Sequence, residues 1–566
     1  MKSNPSRREF IKKTTAAGIS ATVLGGISLA DIACMRAPLD IVIKKGSILD
    51  GTGAEERIAD IGIRNGKIVT IGNLGDAEGE RVINAQGLKV TPGFIDIHSH
   101  TDTELFIAPR AESKVRQGVT TEVTGCDGSS AGPLGGSELA SNLKEFKDAF
   151  EFDCPYRDME GFFGFLEKQR CSQNMISLIG LGTIRERVVG ADNRPATSNE
   201  MEQMKREVLI AIEQGCYGTS TGLEYTPGSF ASTEELWELV KVVPEKYRLY
   251  ATHMRNEDDT LLEAIDEAIT ICRNANASLQ ISHLKASHKI NWGKQGRAIE
   301  VMEKAIAGGM NVHADRYPYI AYNTGMSNFF PLWSRDGGTE KFMERLRDTS
   351  LLEKIRKEAQ VKIDGLGSWD SVLISWTKST ANKVYQGKTV QQIAAEKNVD
   401  PFEFVVELLL QENEQVGIVG FGMDEAGTEM VLAWKNTIVA SDAGSSAPWG
   451  PGARSRPHPR AYGTFPRAIA HYQRERQITT LPDMIRKMTS LPAAKLGLAD
   501  RGIIAEGKAA DIVIFDYEKI QDRATFLDPH QFPIGIPYVV INGVPVIDNG
   551  VQTGALPGRV LRSSRS

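Results

Sequence analysis

From Leu39 onward apolar and polar residues alternate. Asp40-Ile-Val-Ile-Lys44 and Asp60-Ile-Gly-Ile-Arg64 both show the period of two expected of half-buried strands. Asn65-Gly66 supplies a hairpin turn before Lys67-Ile-Val-Thr-Ile71. Similar strands, Ala509–Phe515 and Pro537–Gly543, return near the other end, the second closing on Asn542-Gly543. Strand-rich segments at both ends enclose a long middle, which predicts one discontinuous, small β-sandwich domain made from residues 39–91 and 502–562.

In the middle, short apolar runs alternate with longer stretches of helical period. The predicted strands are Phe94–His98, Thr120–Thr124, Ser177–Gly180, Gly218–Ser220, Leu249–His253, Leu279–His283, Asn311–Asp315 and Thr437–Ser441. Strands alternating with helices call for an α/β fold with a parallel sheet, and the length suits a TIM-like (β/α)8 barrel over residues 92–500. The stretch from about 316 to 436 is too long for one connection. It is expected to be an insertion holding extra helices, such as Pro401–Gln411, and a lid over the site.

Composition narrows the picture. With 566 residues, 41% of them hydrophobic, the chain has ample core for one large domain and a smaller one. A net charge of −6 without a basic stripe argues against nucleic acid as a partner. The six cysteines, Cys34, Cys126, Cys154, Cys171, Cys216 and Cys272, have neither C-x-x-C spacing nor the density of a disulfide framework.

The first 34 residues differ from the rest. Ser6-Arg-Arg-Glu-Phe-Ile-Lys12 opens a basic segment, and an uncharged run of small and apolar residues follows from Thr14 to Ala30. That run is shorter than the about 20 apolar residues of a membrane span, and S-R-R-x-F-I-K matches a twin-arginine export signal. The expectation is an exported, periplasmic protein that folds before it meets the twin-arginine machinery, with no stable membrane span. Asp31 stands where a lipoprotein signal carries an aliphatic residue, which argues against lipidation at Cys34.

Five predicted strand ends carry metal-binding or acid–base groups. His98 and His100 close the first, two residues apart and so on one face of a continuing strand. Gly125-Cys126-Asp127-Gly128 follows the second. His253 and His283 close two later strands, and Asp442 ends the last. A lone histidine is ordinarily a packed or surface residue. Four of the nine in the chain, all at the C-terminal ends of barrel strands, point instead to a divalent metal held by imidazoles. His458, in Arg456-Pro-His-Pro-Arg460, follows the Asp442 strand by a proline-rich loop that reaches the mouth. His288, His471 and His530 read as structural or exposed, and His313 as a packing residue.

Pro92-Gly-Phe-Ile-Asp-Ile-His-Ser-His100, a histidine closing each of two later strands, and Ser441-Asp442 resemble the amidohydrolase superfamily. Gln117–Gly125, Thr221–Gly228, Thr252-His-Met-Arg255, Ile281-Ser-His-Leu-Lys285, Asn291-Trp-Gly293 and Tyr462–Arg467 narrow the resemblance to the D-aminoacylase (N-acyl-D-amino-acid deacylase) branch. It runs from about Leu39 to the end of the chain. It implies a hydrolase using one or two Zn²⁺ that cleaves N-acyl amino acids, N-acyl-D-amino acids above all, to a carboxylic acid and the free amino acid. It further implies metal ligation by His98, His100, Asp127, His253 and His283, with Cys126 and Glu224 as alternative ligands, and proton transfer by Asp442. Tyr225, Lys285, Tyr317 and His458 would hold substrate, Lys285 by pairing with its carboxylate.

Two departures stand out. The branch carries Gly-Asn-Cys-Gly after the second strand, with the cysteine as a strong metal ligand. Here Asp127 occupies that column and Cys126 sits one place early, so a harder oxygen ligand and a thiolate both remain open. Gly180-Leu181-Gly182 stands where many relatives have Gly-His. The competing reading is another amidase on the same barrel, acting on cyclic amides or on dipeptides with D-residues. A non-catalytic binding protein would be expected to have lost a ligand, and none is missing.

Overall fold

The structure, a computed structural model, describes residues 38–136 and 139–563; the twin-arginine segment lies outside them. No helix of the described residues is long and apolar enough to cross a membrane. Eight parallel strands form the central barrel. They are β1 (Phe94–Asp96), β2 (Val119–Thr124), β3 (Asn174–Ser177 and Ile179–Gly180, interrupted at Leu178) and β4 (Thr219–Gly222). β5 (Leu249–His253), β6 (Ser278–Ile281), β7 (Val312–Arg316) and β8 (Thr437–Val439) complete the ring. Neighbours in the chain are neighbours in the barrel, and β7 pairs with β8 across the insertion.

The helices take the outer layer for the usual reason, an apolar stripe at helical period. In Leu261–Ala275 the buried side chains include Leu261, Ala264, Ile265, Ala268, Ile269, Cys272 and Ala275, and Asn276 in the left-handed region ends it. Ser198–Gln214 begins at a capping box, Thr197 and Glu200 exchanging side-chain and backbone bonds. Inside the barrel, Ile95, Val123, Ile176, Ala251 and Ile438 fill the floor beneath the mouth.

Three strands end earlier than the alternation predicts. β1, β6 and β8 stop at Asp96, Ile281 and Val439 rather than at His98, His283 and Ser441. At β6 and β8 the cause is local backbone geometry. His283 and Asp442 take φ of +34° and +50°, left-handed values that no pleated strand accommodates and that turn both side chains out of the ladder.

Past their ends, β1 and β8 are joined by the Asp442 N–H donating to His98 O at 2.9 Å and by a bridge between Ser99 and Ala443. Beneath this seam lies the fully buried Lys114 ammonium. It contacts Asp96 Oδ2 at 2.8 Å, Glu122 Oε1 at 2.8 Å, Ser441 Oγ at 2.7 Å and Ala443 O at 2.7 Å. Burial works against the charge, but Asp96 and Glu122 outweigh it and raise the lysine above its ordinary pKa.

Strands from both ends of the chain form the small β-sandwich domain as one nine-stranded, hydrogen-bonded sheet, in which Ile512–Phe515 runs antiparallel to Lys89–Pro92. Alternation along Ile512–Phe515 serves two cores. Ile512 and Ile514 join the isoleucine-rich interior of the small domain, while Val513 and Phe515 pack with the barrel helices. A strand apolar on both faces is therefore what this position demands.

Between β7 and the helix Glu425–Ala433 lies an insertion with a core of its own, including Phe330, Phe342, Ile355, Ile363, Phe402, Val405, Leu409 and Ile418. Its three antiparallel strands are ordered Tyr322–Gly325, Val416–Gly420, Val372–Thr377. The predicted helix is present as Pro401–Glu412, started by the Asp400 side chain accepting from Glu403 N–H at 3.1 Å.

Removing the seam cation would strand two buried carboxylates. Lys114→Met is expected to cost about 3–5 kcal/mol, read as a fall of several degrees in melting temperature. Unchanged melting would mean that the seam is held by other contacts.

Candidate metal centre

Five loops bring their polar residues to one point at the C-terminal mouth. His98 Nε2 lies 3.4 Å from Asp127 Oδ1 and 3.4 Å from Asp442 Oδ1, and His100 Nε2 lies 2.9 Å from Asp442 Oδ1. Asp127 Oδ2 is 3.4 Å from His283 Nε2 and 3.8 Å from His253 Nδ1. The two last imidazoles approach to 3.0 Å, Nδ1 to Nε2. Donor atoms of His98, Asp127, His283 and Asp442 all fall within 4.8 Å of one another, as do those of His253, Glu257 and His283.

These residues fit a divalent cation. His98 Nε2, His253 Nε2 and Asp127 Oδ1 are buried without a hydrogen-bond partner, and such atoms are costly unless something else satisfies them. Tetrahedral zinc, with bonds to nitrogen of about 2.0–2.1 Å, has edges of about 3.3 Å, close to the spacings here. The opposite ring nitrogens are committed elsewhere. His98 Nδ1 meets Asp315 Oδ1 at 3.2 Å and His283 Nδ1 meets Glu257 Oε1 at 3.0 Å. At His98 the Asp315 carboxylate keeps the proton on Nδ1 and aims the Nε2 lone pair inward, whereas His283 Nδ1 also meets the Lys285 ammonium, a donor, at 2.9 Å.

The electrostatics agree. Burial alone would lower the imidazole pKa values, yet hydrogen bonds and charge from Asp127 and Asp442 raise His100 to about 9. Glu257, Asp127 and Glu224 likewise lift His253 to about 10 against burial. Asp442 is held far below the carboxylate range despite burial, first by the Arg460 guanidinium, whose Nη1 donates to Oδ2 at 2.6 Å, and then by His283 and His98. Left to protons alone, the carboxylates draw positive charge onto the histidines. The site is built to hold cations.

Both second-strand residues line the cavity, but their side chains make different contacts. The Cys126 thiol donates toward Val123 O at 3.6 Å, packs with Ile97 and Val123, and burial pushes its pKa up. The Asp127 carboxylate faces the histidines from a left-handed turn (φ +51°). Glu224 accepts from Asn328 Nδ2 at 3.0 Å and lies 3.6 Å from His253 Nε2, at the edge of the cluster.

The centre floors a cavity of about 620 Å³ lined by all the predicted substrate residues, Tyr225, Lys285, Tyr317 and His458. Tyr317 Oη is buried and unpartnered. Tyr225 Oη reaches Thr324 Oγ1 of the insertion at 3.3 Å. Lys285 pairs with Glu257 and approaches His283 Nδ1 at 2.9 Å. Both nitrogens of His458 are used on backbone, Nε2 at 3.0 Å from Ala321 O and Nδ1 accepting from Arg460 N–H at 3.0 Å. Its ring therefore joins the β8 loop to the insertion. The insertion adds Tyr322, Asn323, Thr324, Asn328 and Lys362 to the wall.

Sequence reasoning missed Glu257, Asp315, Arg460 and His288. His288 lines the cavity, 3.8 Å from Asp258, rather than facing solvent. The signals were faint but present: Glu257 lies four residues after His253, and Asp315 is the acid near the end of β7. Glu257→Gln removes the negative charge packed against both His283 and Lys285, and is expected to weaken metal binding by about 10–100-fold in a chelator competition. Unchanged affinity would remove Glu257 from that role.

Residues 356–547 match the model of the amidohydrolase family. The chain is 33% identical to D-aminoacylase of Alcaligenes xylosoxydans xylosoxydans over 527 residues, 93% of this chain and 98% of that one. N-acyl-D-glutamate deacylase from Bordetella bronchiseptica, solved with zinc and a phosphonate mimic of the tetrahedral intermediate, superposes with a TM-score of 0.78 at 31% identity, over 93% of this chain and 100% of that one. A D-aminoacylase solved to define the functional role of its binuclear metal centre gives 0.77 at 32% identity, over 93% and 100%. By fold, by sequence over nearly its whole length and by the polar residues at its barrel mouth, this chain belongs to the D-aminoacylase branch of the amidohydrolase family.

Proposed function

We propose that the protein is a zinc-dependent hydrolase that cleaves the amide of N-acyl-D-amino acids to a carboxylic acid and the free amino acid. One observation carries the reading. Asp442, held charged by Arg460, faces the His98–His100 pair with Oδ1 on the floor of a substrate-sized cavity, beside Asp127, His253 and His283. The relatives' activities support the D-configuration and the acyl amide.

His98, His100, Asp127, His253 and His283 would hold the metal, with Asp442 alongside. When bound, zinc supplies Lewis acidity, which acidifies water and polarises an amide carbonyl. The chain does the rest. Asp442 Oδ1 is the proton carrier: it takes a proton from the attacking water and passes it to the departing amine nitrogen. Arg460 fixes the other oxygen of that carboxylate, so a single face is presented to the substrate. Tyr317 Oη, lacking a partner, donates to a substrate oxygen. Lys285 brings a cation to the wall where the substrate's carboxylate would lie. The insertion lines one wall of the cavity with Tyr322, Asn323, Thr324, Asn328 and Lys362.

The test is a panel of N-acyl-D-amino acids, their L-isomers, cyclic amides and D-residue dipeptides, run on wild type and Asp442→Asn with metal content assayed in parallel. Wild type should turn over the N-acyl-D-amino acids fastest, and Asp442→Asn should lose activity by at least about 10³-fold with metal retained. Preference for a cyclic amide or a dipeptide would replace the substrate assignment, and a nearly unimpaired variant would remove Asp442 from the chemistry.

We also propose that the protein is exported folded by the twin-arginine route. The motif Ser6–Lys12 and the uncharged run after it support this reading. Changing Arg7 and Arg8 together to lysine should leave the protein in the cytoplasmic fraction; undiminished export would exclude the route.

A further inference from the structure

The turn Gly125-Cys126-Asp127-Gly128 is clamped at both ends. Ser220 Oγ donates to Gly125 O and accepts from Gly128 N–H, the latter at 3.1 Å. Both glycines sit at positive φ, +70° and +75°. A Cβ at 125 would meet Leu178 O at 2.1 Å, and one at 128 would meet Gly222 N at 2.6 Å. The register of the turn cannot slip by one residue without moving a side chain into these gaps. Cys126 therefore stays turned toward Val123 O and Ile97, and Asp127 stays in the mouth.

The Asp127 carboxylate lies among all four histidines, with Oδ1 toward His98 and Oδ2 toward the others. Oδ1 lies 3.4 Å from His98 Nε2, on the side that holds Asp442. Oδ2 lies 3.4 Å from His283 Nε2 and 3.8 Å from His253 Nδ1, and 3.6 Å from His100 Nε2, as befits a group seated between two sets. Oδ1 and His98 Nε2 are both buried and unpartnered. We infer that Asp127 is a bridging carboxylate, giving one oxygen to a cation at His98, His100 and Asp442 and the other to a cation at His253 and His283. The centre then contains only nitrogen and oxygen donors, where the family pattern places a cysteine. This inference rests on the metal-dependent reading above.

Consequences follow from donor hardness. Thiolate favours soft ions, whereas carboxylate with imidazole accepts Mn²⁺ and Co²⁺ as well as Zn²⁺. A shared carboxylate also gives the two cations a common ligand, so the magnetic moments of two Mn²⁺ ions would couple through it.

The experiment strips the full chain with a chelator and reloads it with Co²⁺ or Mn²⁺, the readouts being metal per chain, absorption and electron paramagnetic resonance. Expected are two ions per chain, no near-ultraviolet thiolate-to-cobalt band, and an exchange-coupled dimanganese spectrum. Cys126→Ser should reproduce all three, and Asp127→Asn should lose one ion and the coupling while melting like wild type. A thiolate band that Cys126→Ser abolishes, or two uncoupled ions, would overturn the bridge and leave the hydrolase reading standing. A chain that takes up no metal would overturn both.

Discussion

The fold depends on joining the first barrel strand to the eighth, and one buried ammonium does much of that joining. Lys114 touches Asp96 on β1, Glu122 on β2, and Ser441 and Ala443 around Asp442. Asp96 in turn accepts from Ser441 N–H at 2.9 Å. Each charge is met by an opposite charge or a hydrogen bond, which is the condition under which a buried ion pair is tolerated. The same contacts hold the backbone on either side of Asp442, so the seam and the strained φ of that residue are one arrangement. Closing the barrel places Asp442 against His98 and His100.

Above the seam, the mouth concentrates negative charge and then surrounds it with imidazoles. Asp127, Asp442 and Glu257 stay ionised in spite of burial because histidines and the cations Arg460 and Lys285 lie beside them. Asp315 and Glu257 do quieter work. Asp315 sits behind His98 and fixes which of its nitrogens faces inward, while Glu257 places negative charge against His283 and Lys285. Asp315 also accepts from His283 N–H at 2.7 Å, which steadies the left-handed turn that carries that ligand. Orientation and strain are thus managed by the same carboxylate.

The insertion and the terminal sheet support this centre from opposite sides. The insertion has its own apolar core, so it can vary its cavity-facing residues without disturbing the barrel. The sheet shares strand Ile512–Phe515 between two cores, which ties the small domain rigidly to the barrel. His458 and Phe526, their rings 5.0 Å apart, connect the β8 loop with a loop of the C-terminal segment.

Much of this was legible in the chain. Alternating strands at both ends, apolar runs separated by helical stretches, and histidines at strand ends follow from local periodicity, and periodicity survives folding because it is what buries one face of each element. The same pattern identified His98, His100, His253, His283 and Asp442 as residues that meet. It misjudged where β1, β6 and β8 stop; at β6 and β8 the ends are set by left-handed turns at His283 and Asp442. It was blind to Glu257, Asp315, Arg460 and Lys114, whose roles exist only through partners distant in sequence. It left Cys126 and Asp127 open, adjacent residues equally able to hold a metal. That choice belongs to the tertiary structure: Ser220 and two glycines at positive φ fix the turn's register, and one residue of register decides which side chain packs against Ile97 and Val123 and which carboxylate lies among the histidines.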